Sequence, residues 1–178
     1  MSLPRLVDTP RLRLRPPTRA DAETVFARYA SDVEVTRYLC WPRHVALVHT
    51  FAFIDASERE WSASGAGPYL AFDREGRLVG STGIHVETPN RAVTGYVLAR
   101  DAWGQGLATE LARSMVEVAF RLPRLTRLYA LCHAEHRASA RVLEKAGFER
   151  EGVLRRFTVF PNLGSPEPAD AALYARVR

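Results

Sequence analysis

The chain has 178 residues, of which 47% are hydrophobic and 25% charged, the balance of a globular protein large enough to bury a core. No apolar run approaches the ~20 residues that cross a bilayer, and the first residues lack the apolar stretch of a secretory leader, so the expectation is a cytoplasmic protein without a membrane partner. The formal net charge of +5 is carried by arginine, with Lys145 the only lysine; because the arginines are dispersed and not interleaved with aromatics, a phosphorylated small ligand suits it better than nucleic acid.

Residues 10–15 predict a first strand, with Arg11, Arg13 and Arg15 on its wet face and Leu12 and Leu14 on the other. Pro16-Pro17 cannot continue a ladder and closes it. Thr18 and Asp21 read as a capping box, followed by Val25, Phe26 and Tyr29 on one helical face. A second helical stretch spans about 44–62. The period then changes. Tyr69–Phe72 is a short strand, Asp73-Arg74-Glu75-Gly76 a turn, 77–87 a long strand, and Thr88–Arg91 a turn into a fourth strand at 93–98. From Gly106 the period is helical again, with Leu107, Leu111, Met115 and Val118 on one stripe. A fifth strand follows at 125–132, then a helix at 137–146 stopped by Gly147, and strand character at 153–160 and 170–176. No linker or repeat divides the chain, so a single domain over 1–178 of mixed α+β class is expected.

The chemistry concentrates between the fourth strand and the next helix, in Trp103-Gly104-Gln105-Gly106. Two glycines one residue apart allow a tight turn and close approach of a ligand. Loop amides and the free N–H groups of a helix's first turn then converge into an anion nest, a natural seat for a phosphate or pyrophosphate. The ordinary alternative is a plain strand-to-helix turn. Neither a Gly-x-Gly-x-x-Gly fingerprint nor a Gly-Lys-Thr/Ser phosphate loop is present, because Ala108 and Thr109 follow.

Trp103 to Glu110, preceded by Gly95-Tyr96-Val97-Leu98, resembles the cofactor motif of the GNAT acyltransferases, Gln/Arg-x-x-Gly-x-Gly/Ala, with Gly106 and Ala108 matching and Trp103 replacing Gln/Arg. That replacement, and Thr9–Arg15, are similar to the Rim-type branch that acetylates ribosomal-protein N-termini. A second segment, His136 to Phe148 with Ser139, Lys145 and Gly147, resembles the family's Asn-x-x-Ser…Glu-Lys-x-Gly-Phe, and the two motifs fall in the family's order. The resemblance implies a central, mixed but mostly antiparallel sheet with helices on both faces, splayed between the fourth and fifth strands. It implies acetyl-CoA as acyl donor without a metal, and an amine acceptor that is a protein N-terminus or a small molecule. A homodimer is the assembly it allows.

By the same resemblance, the amides of Gly104, Gln105, Gly106, Leu107, Ala108 and Thr109 hold the pyrophosphate beside Trp103. Val97 and Leu98 sit at the splayed end of the fourth strand, where a bulge frees an N–H for the acetyl carbonyl. His136 and Ser139 line the pantetheine. The tyrosine that protonates the thiolate in many relatives is replaced by Leu143, which leaves Ser139, whose ordinary alternative is a helix cap. The strand carboxylate of the Rim pattern is replaced by Val93. Candidates for the general base are therefore Glu87 first, with His85 and His136 behind it and His133 and Glu135 nearby; deprotonation through water is the alternative. These departures also admit a second reading, a non-catalytic acyl-CoA-binding or sensing module. Cys40 and Cys132 read as reduced thiols, with His133 pointing to the face opposite Cys132. Trp61 is expected to pack helices on the sheet, and Trp41 either to do the same or to shape the acceptor groove.

Overall fold

A computed structural model describes residues 2–178. Eight strands form one sheet in the order β1-β2-β3-β4-β5-β6-β8-β7. They are β1 (Val7–Asp8), β2 (Arg13–Arg15), β3 (Pro68–Phe72), β4 (Leu78–Thr88), β5 (Arg91–Leu98), β6 (Arg127–His133), β7 (Glu149–Thr158) and β8 (Ala169–Val177). Every neighbouring pair is antiparallel except β5 and β6. The fourth and fifth strands expected from the sequence are thus β5 and β6, the count being raised by β1.

The predicted first strand is shorter than 10–15. The amide of Thr9 donates to the Leu12 carbonyl at 2.8 Å, a turn that joins β1 to β2 and uses Pro10, which has no N–H to give a ladder. The capping box is present: the Asp21 carboxylate accepts from the Thr18 amide at 2.7 Å and from Arg15 at 2.7 and 2.8 Å. The helix it starts is broken up. α1 (Ala22–Val25) passes into a π-helical turn at Phe26–Ala30, closed by a bond from the Ser31 amide to the Phe26 carbonyl, and α2 (Val33–Thr36) is a separate turn capped by Asp32. α3 (Leu47–Ser64) ends at Gly65, whose φ of 69° is left-handed.

Val25, Tyr29, Ala30 and Val35 pack on Leu70, Leu78 and Ala99 to cover one face of the sheet. The other face is covered by α4 (Leu107–Ala119) and α5 (Arg137–Lys145), through Leu111, Met115, Val118 and Leu143 on Ile84, Leu98, Leu128 and Ala130. Burying these aliphatic side chains is the main stabilising term, ~1.5–3 kcal/mol each relative to exposure.

Between β5 and β6 the sheet opens. Their parallel ladder covers only Arg91↔Arg127, Ala92↔Leu128 and Val93↔Tyr129. Beyond it β5 stays paired with β4 as far as Gly80↔Leu98, while β6 stays paired with β8 as far as His133↔Ala171. Each strand is held on its outer side, so the inner edges diverge and leave backbone groups without a strand partner. The bulge expected at Val97 and Leu98 is not there. The register of β4 with β5 shifts between Val86 and Thr88, at the far end, and runs unbroken from Val86↔Ala92 to Gly80↔Leu98. Divergence of the strands, instead of an extra residue, exposes the backbone.

Candidate active site

The loop after β5 is built as a cradle. Residues Arg100–Ala102 make one 3₁₀ turn, and Gly104 and Gly106 take φ of 74° and 76°, a region open to glycine and strained for other residues. Gly106 is the N-cap of α4, whose first internal bond runs from the Glu110 amide to the Gly106 carbonyl at 3.1 Å. The amides of Leu107, Ala108 and Thr109 are therefore free at the positive end of the helix dipole. A Cβ placed on Gly104 would meet no atom within 4 Å, so that side of the loop is open.

Several side chains hold the loop in this shape. The Trp103 indole donates to the Leu98 carbonyl at 2.9 Å, and the Gln105 amide group donates to the Asp101 carbonyl at 2.8 Å. Arg28 grips Asp101 through two bonds of 3.0 and 2.8 Å. Arg11 reaches the Gln105 carbonyl at 2.8 Å and Glu110 at 2.7 Å. Glu110, a negative charge in the first turn, would oppose an anion there. Burial pushes its pKa up, but bonds from Thr9 and from the Arg11 amide and guanidinium outweigh that and hold it below the usual range, so its charge is matched. The cradle fits a pyrophosphate.

Past β5, the opening between β5 and β6 holds a cavity of about 520 Å³ lined from both faces of the sheet, to which Val97 contributes and residues 98–109 of the loop do not. The Ala99 amide bonds the Val79 carbonyl on the β4 side at 2.9 Å. Backbone groups alternate sides along a strand, so those of Leu98, Tyr96 and Thr94 face the opening and those of Val97 face β4. Val97 instead gives the cavity its side chain. On the α5 side lie Tyr96, Cys132 and Ser139. The Tyr96 hydroxyl is 2.9 Å from the Ser139 hydroxyl and donates to the Ser139 carbonyl at 3.1 Å. Burial raises the pKa of Tyr96, the Ser139 bond offsetting only part of this, so the phenol stays protonated. Burial likewise raises the Cys132 thiol, which keeps it uncharged. Cys132 belongs to the core under α4 and α5, whereas the His133 ring packs tilted against Tyr38 and edge-on to Phe160, so the two do point to opposite faces.

His136 lines the cavity and caps α5 without a side-chain cap bond. Its ring stacks on Tyr38, with centroids 4.7 Å apart. Burial, with the neighbouring His133, lowers its pKa, so it is a neutral imidazole at pH 7. His133 is buried and accepts from the Glu135 amide, while Glu135 is exposed. Glu87 is not among the residues that line the cavity; its two oxygens accept from Tyr129 at 2.6 Å and Arg91 at 2.8 Å. Those bonds, Tyr129's first, lower its pKa and tie down the start of the parallel ladder. His85 does line the cavity, with Glu60 at 2.7 Å. Trp41 is in the wall, and Trp61 is buried with its indole N–H on the Pro68 carbonyl at 2.8 Å.

Three contributors carried no signal of their own in the sequence. Glu60 is seven residues after Phe53 on α3, and both reach the cavity, a shared face that helical spacing permits. Tyr96 lies in the strand motif, but its partner Ser139 is 43 residues away. Asn162 clips two loops together: its side chain donates to the Thr36 and Trp41 carbonyls at 2.8 and 2.9 Å and accepts from the Arg43 amide at 2.8 Å.

A glycine loop opening onto a helix N-terminus, beside a sheet splayed around a cavity, is an arrangement suited to acyl-CoA-dependent transferases. Residues 11–149 match the acetyltransferase (GNAT) domain family. The N-acetyltransferase YoaA of Bacillus subtilis is 31% identical over 97% of this chain and 97% of its own. A GNAT-family acetyltransferase from Bacillus anthracis superposes with a TM-score of 0.82 at 26% identity, covering 97% of this chain and 98% of that one. RimL, a ribosomal L7/L12 alpha-N-protein acetyltransferase in complex with coenzyme A, has the same fold, with a TM-score of 0.85 at 19% identity over 97% of both chains. The chain belongs to the GNAT acetyltransferase family, whose members take their acyl group from acetyl-CoA.

Proposed function

We propose that this protein moves the acetyl group of acetyl-CoA onto an amine, a protein N-terminus or a small molecule, by direct attack. The observation that carries the reading is the cavity lined from both faces of the splayed sheet, with an aromatic-walled mouth, taken together with the glycine-capped N-terminus of α4. Bound acetyl-CoA supplies the thioester carbonyl. The residues of this chain hold the two reactants in line, worth ~7–11 kcal/mol in well-oriented model reactions. The Leu98 amide, which strand alternation turns away from β4, is the group we assign to polarise the carbonyl. As the amine's C–N bond forms and the C–S bond breaks, the Ser139 hydroxyl donates to the departing sulfur, and the Tyr96 phenol fixes and replenishes that hydroxyl. His136 lines the passage toward the pantetheine, its ring stacked on Tyr38 of the acceptor mouth.

The acceptor's character follows from the walls. Tyr38, Trp41, Phe53, Phe157 and Phe160 are aromatic, and Glu60 is the one carboxylate among the described lining residues. Such a mouth suits a single amine on an apolar or neutral body and offers little to a polycation. Calorimetric titration with acetyl-CoA, followed by free-thiol release with a panel of peptides and small amines, tests the reading. Binding with thiol release on one or more acceptors is expected. No heat of binding overturns it, and binding without turnover on any amine leaves an acyl-CoA-binding module.

A further inference from the structure

An amine at neutral pH is mostly ammonium, so attack on the thioester requires a group that takes the proton. His85 lies on the α3 side of the cavity, opposite in the sheet to Ser139 on the α5 side. Its Nδ1 is 2.7 Å from a carboxylate oxygen of Glu60 on α3. An ionised carboxylate only accepts, so this bond requires the proton on Nδ1 and leaves the lone pair on Nε2. The side chain of His85 is 63% exposed and that of Glu60 28%, so a solvent-facing imidazole is oriented by a more sheltered acid.

The strand register explains why this histidine is reachable. β3 begins at Pro68, which pairs with Gly83, so His85 lies beyond the end of β3. Its partner across β4 and β5 is Val93, which is apolar and brings no competing charge. The charged groups that face His85 are Glu60 from α3 and, two residues along its own strand, Glu87, already engaged by Arg91 and Tyr129. No lysine or arginine lines this cavity among the described residues, and His136 is its other histidine.

We infer that His85 is the general base of the transfer and that Glu60 is its positioning residue. This rests on the amine-acetylation reading. The acceptor nitrogen enters past Phe53, gives one ammonium proton to Nε2 of His85, and then attacks the carbonyl carbon with the freed pair. His85 is left as an imidazolium stabilised by Glu60 and passes its proton to solvent between turnovers. As the C–S bond breaks, the new amide nitrogen loses its second proton to water, and the Ser139–Tyr96 pair, having protonated the sulfur, regains its proton from water, so the acceptor-side and thiolate-side transfers take place on opposite faces of the sheet.

The test is the pH dependence of kcat/KM for an accepted amine, for wild type and for His85→Gln, Glu60→Gln and Glu60→Asp, with acetyl-CoA affinity measured by calorimetry for each. His85→Gln should lower kcat ~10²-fold, within the range for loss of a general base, and remove one ionisation from the rising limb. Its affinity for acetyl-CoA should remain within about twofold of wild type, which also reports folding. Glu60→Gln should cost ~10-fold in kcat with little change in KM, and Glu60→Asp should recover part of it, which a merely structural role would not do. A His85→Gln enzyme with wild-type kcat and an unchanged limb overturns the inference while leaving the acetyltransferase reading standing. A wild-type protein that binds acetyl-CoA and acetylates no amine removes both.

Discussion

Ser139 occupies the third position of α5, where a serine ordinarily serves as a cap, yet its hydroxyl faces the cavity and meets Tyr96. The capping alternative therefore does not account for it. Ser139→Ala should lower kcat ~10²-fold with little change in acetyl-CoA affinity, the signature of an interaction made mainly in the transition state. Tyr96→Phe keeps the ring and removes only the hydroxyl, so the expected loss is smaller, ~10-fold. Steady-state thiol release with parallel calorimetry measures both, and an unchanged Ser139→Ala rate removes the hydroxyl from the chemistry. At this scale the sequence was informative only where a residue sits inside a local motif. Ser139 and the loop glycines were legible because their neighbours in sequence are their neighbours in space. The Tyr96 hydroxyl and Glu60 were not, since their partners lie 43 and 25 residues away on other elements. Glu87 and His85 share a strand face by alternation, but alternation cannot say that Glu87 is spent on Tyr129 and Arg91 while His85 is left facing the cavity.

Among the elements, boundaries moved wherever a side chain or an end cap decided them. Gly65 carries α3 to Ser64, past the predicted end near 62, and the Ser31 bond to Phe26 turns the end of the first helix into a π turn. The acceptor mouth depends on two short connections that have no periodicity to read, the loop holding Tyr38 and Trp41 and the 3₁₀ turn at Pro161–Leu163. Asn162 joins them by three hydrogen bonds. At ~0.5–1.5 kcal/mol each, these outweigh what an irregular loop retains without them. Asn162→Ala should therefore raise the KM for the acceptor ~10-fold and leave the Kd for acetyl-CoA unchanged, because the cradle is anchored separately through Arg11, Arg28 and Trp103. Equal losses in both constants would mean that the clip supports the sheet as a whole. Steady-state kinetics with each substrate varied in turn separates the two.

For the molecule as a whole, the opening between β5 and β6 is where two central strands part after a ladder of three residue pairs. The order of elements and the antiparallel run from β3 to β5 were legible because period and turn chemistry agree along that stretch. The divergence was expected only through the family resemblance, since it depends on where a ladder of three residue pairs stops. A ligand that fills the opening binds the folded state alone, so it must stabilise the fold by mass action, ~2.7 kcal/mol at a hundred times its Kd. For a chain of this size that is a rise in Tm of ~5–11 °C. Gly106→Glu adds bulk and negative charge at the loop proposed to take the pyrophosphate and should abolish the rise. It also forces a side chain into a left-handed φ of 76°, costing ~1–2 kcal/mol without ligand. Gly76→Glu is the matched control, with φ of 81° in a turn where an added Cβ meets nothing within 4 Å. Both variants should melt a few degrees below wild type alone, and only Gly76→Glu should recover with coenzyme A. A shift retained by Gly106→Glu would mean that the pyrophosphate lies somewhere other than the N-terminus of α4.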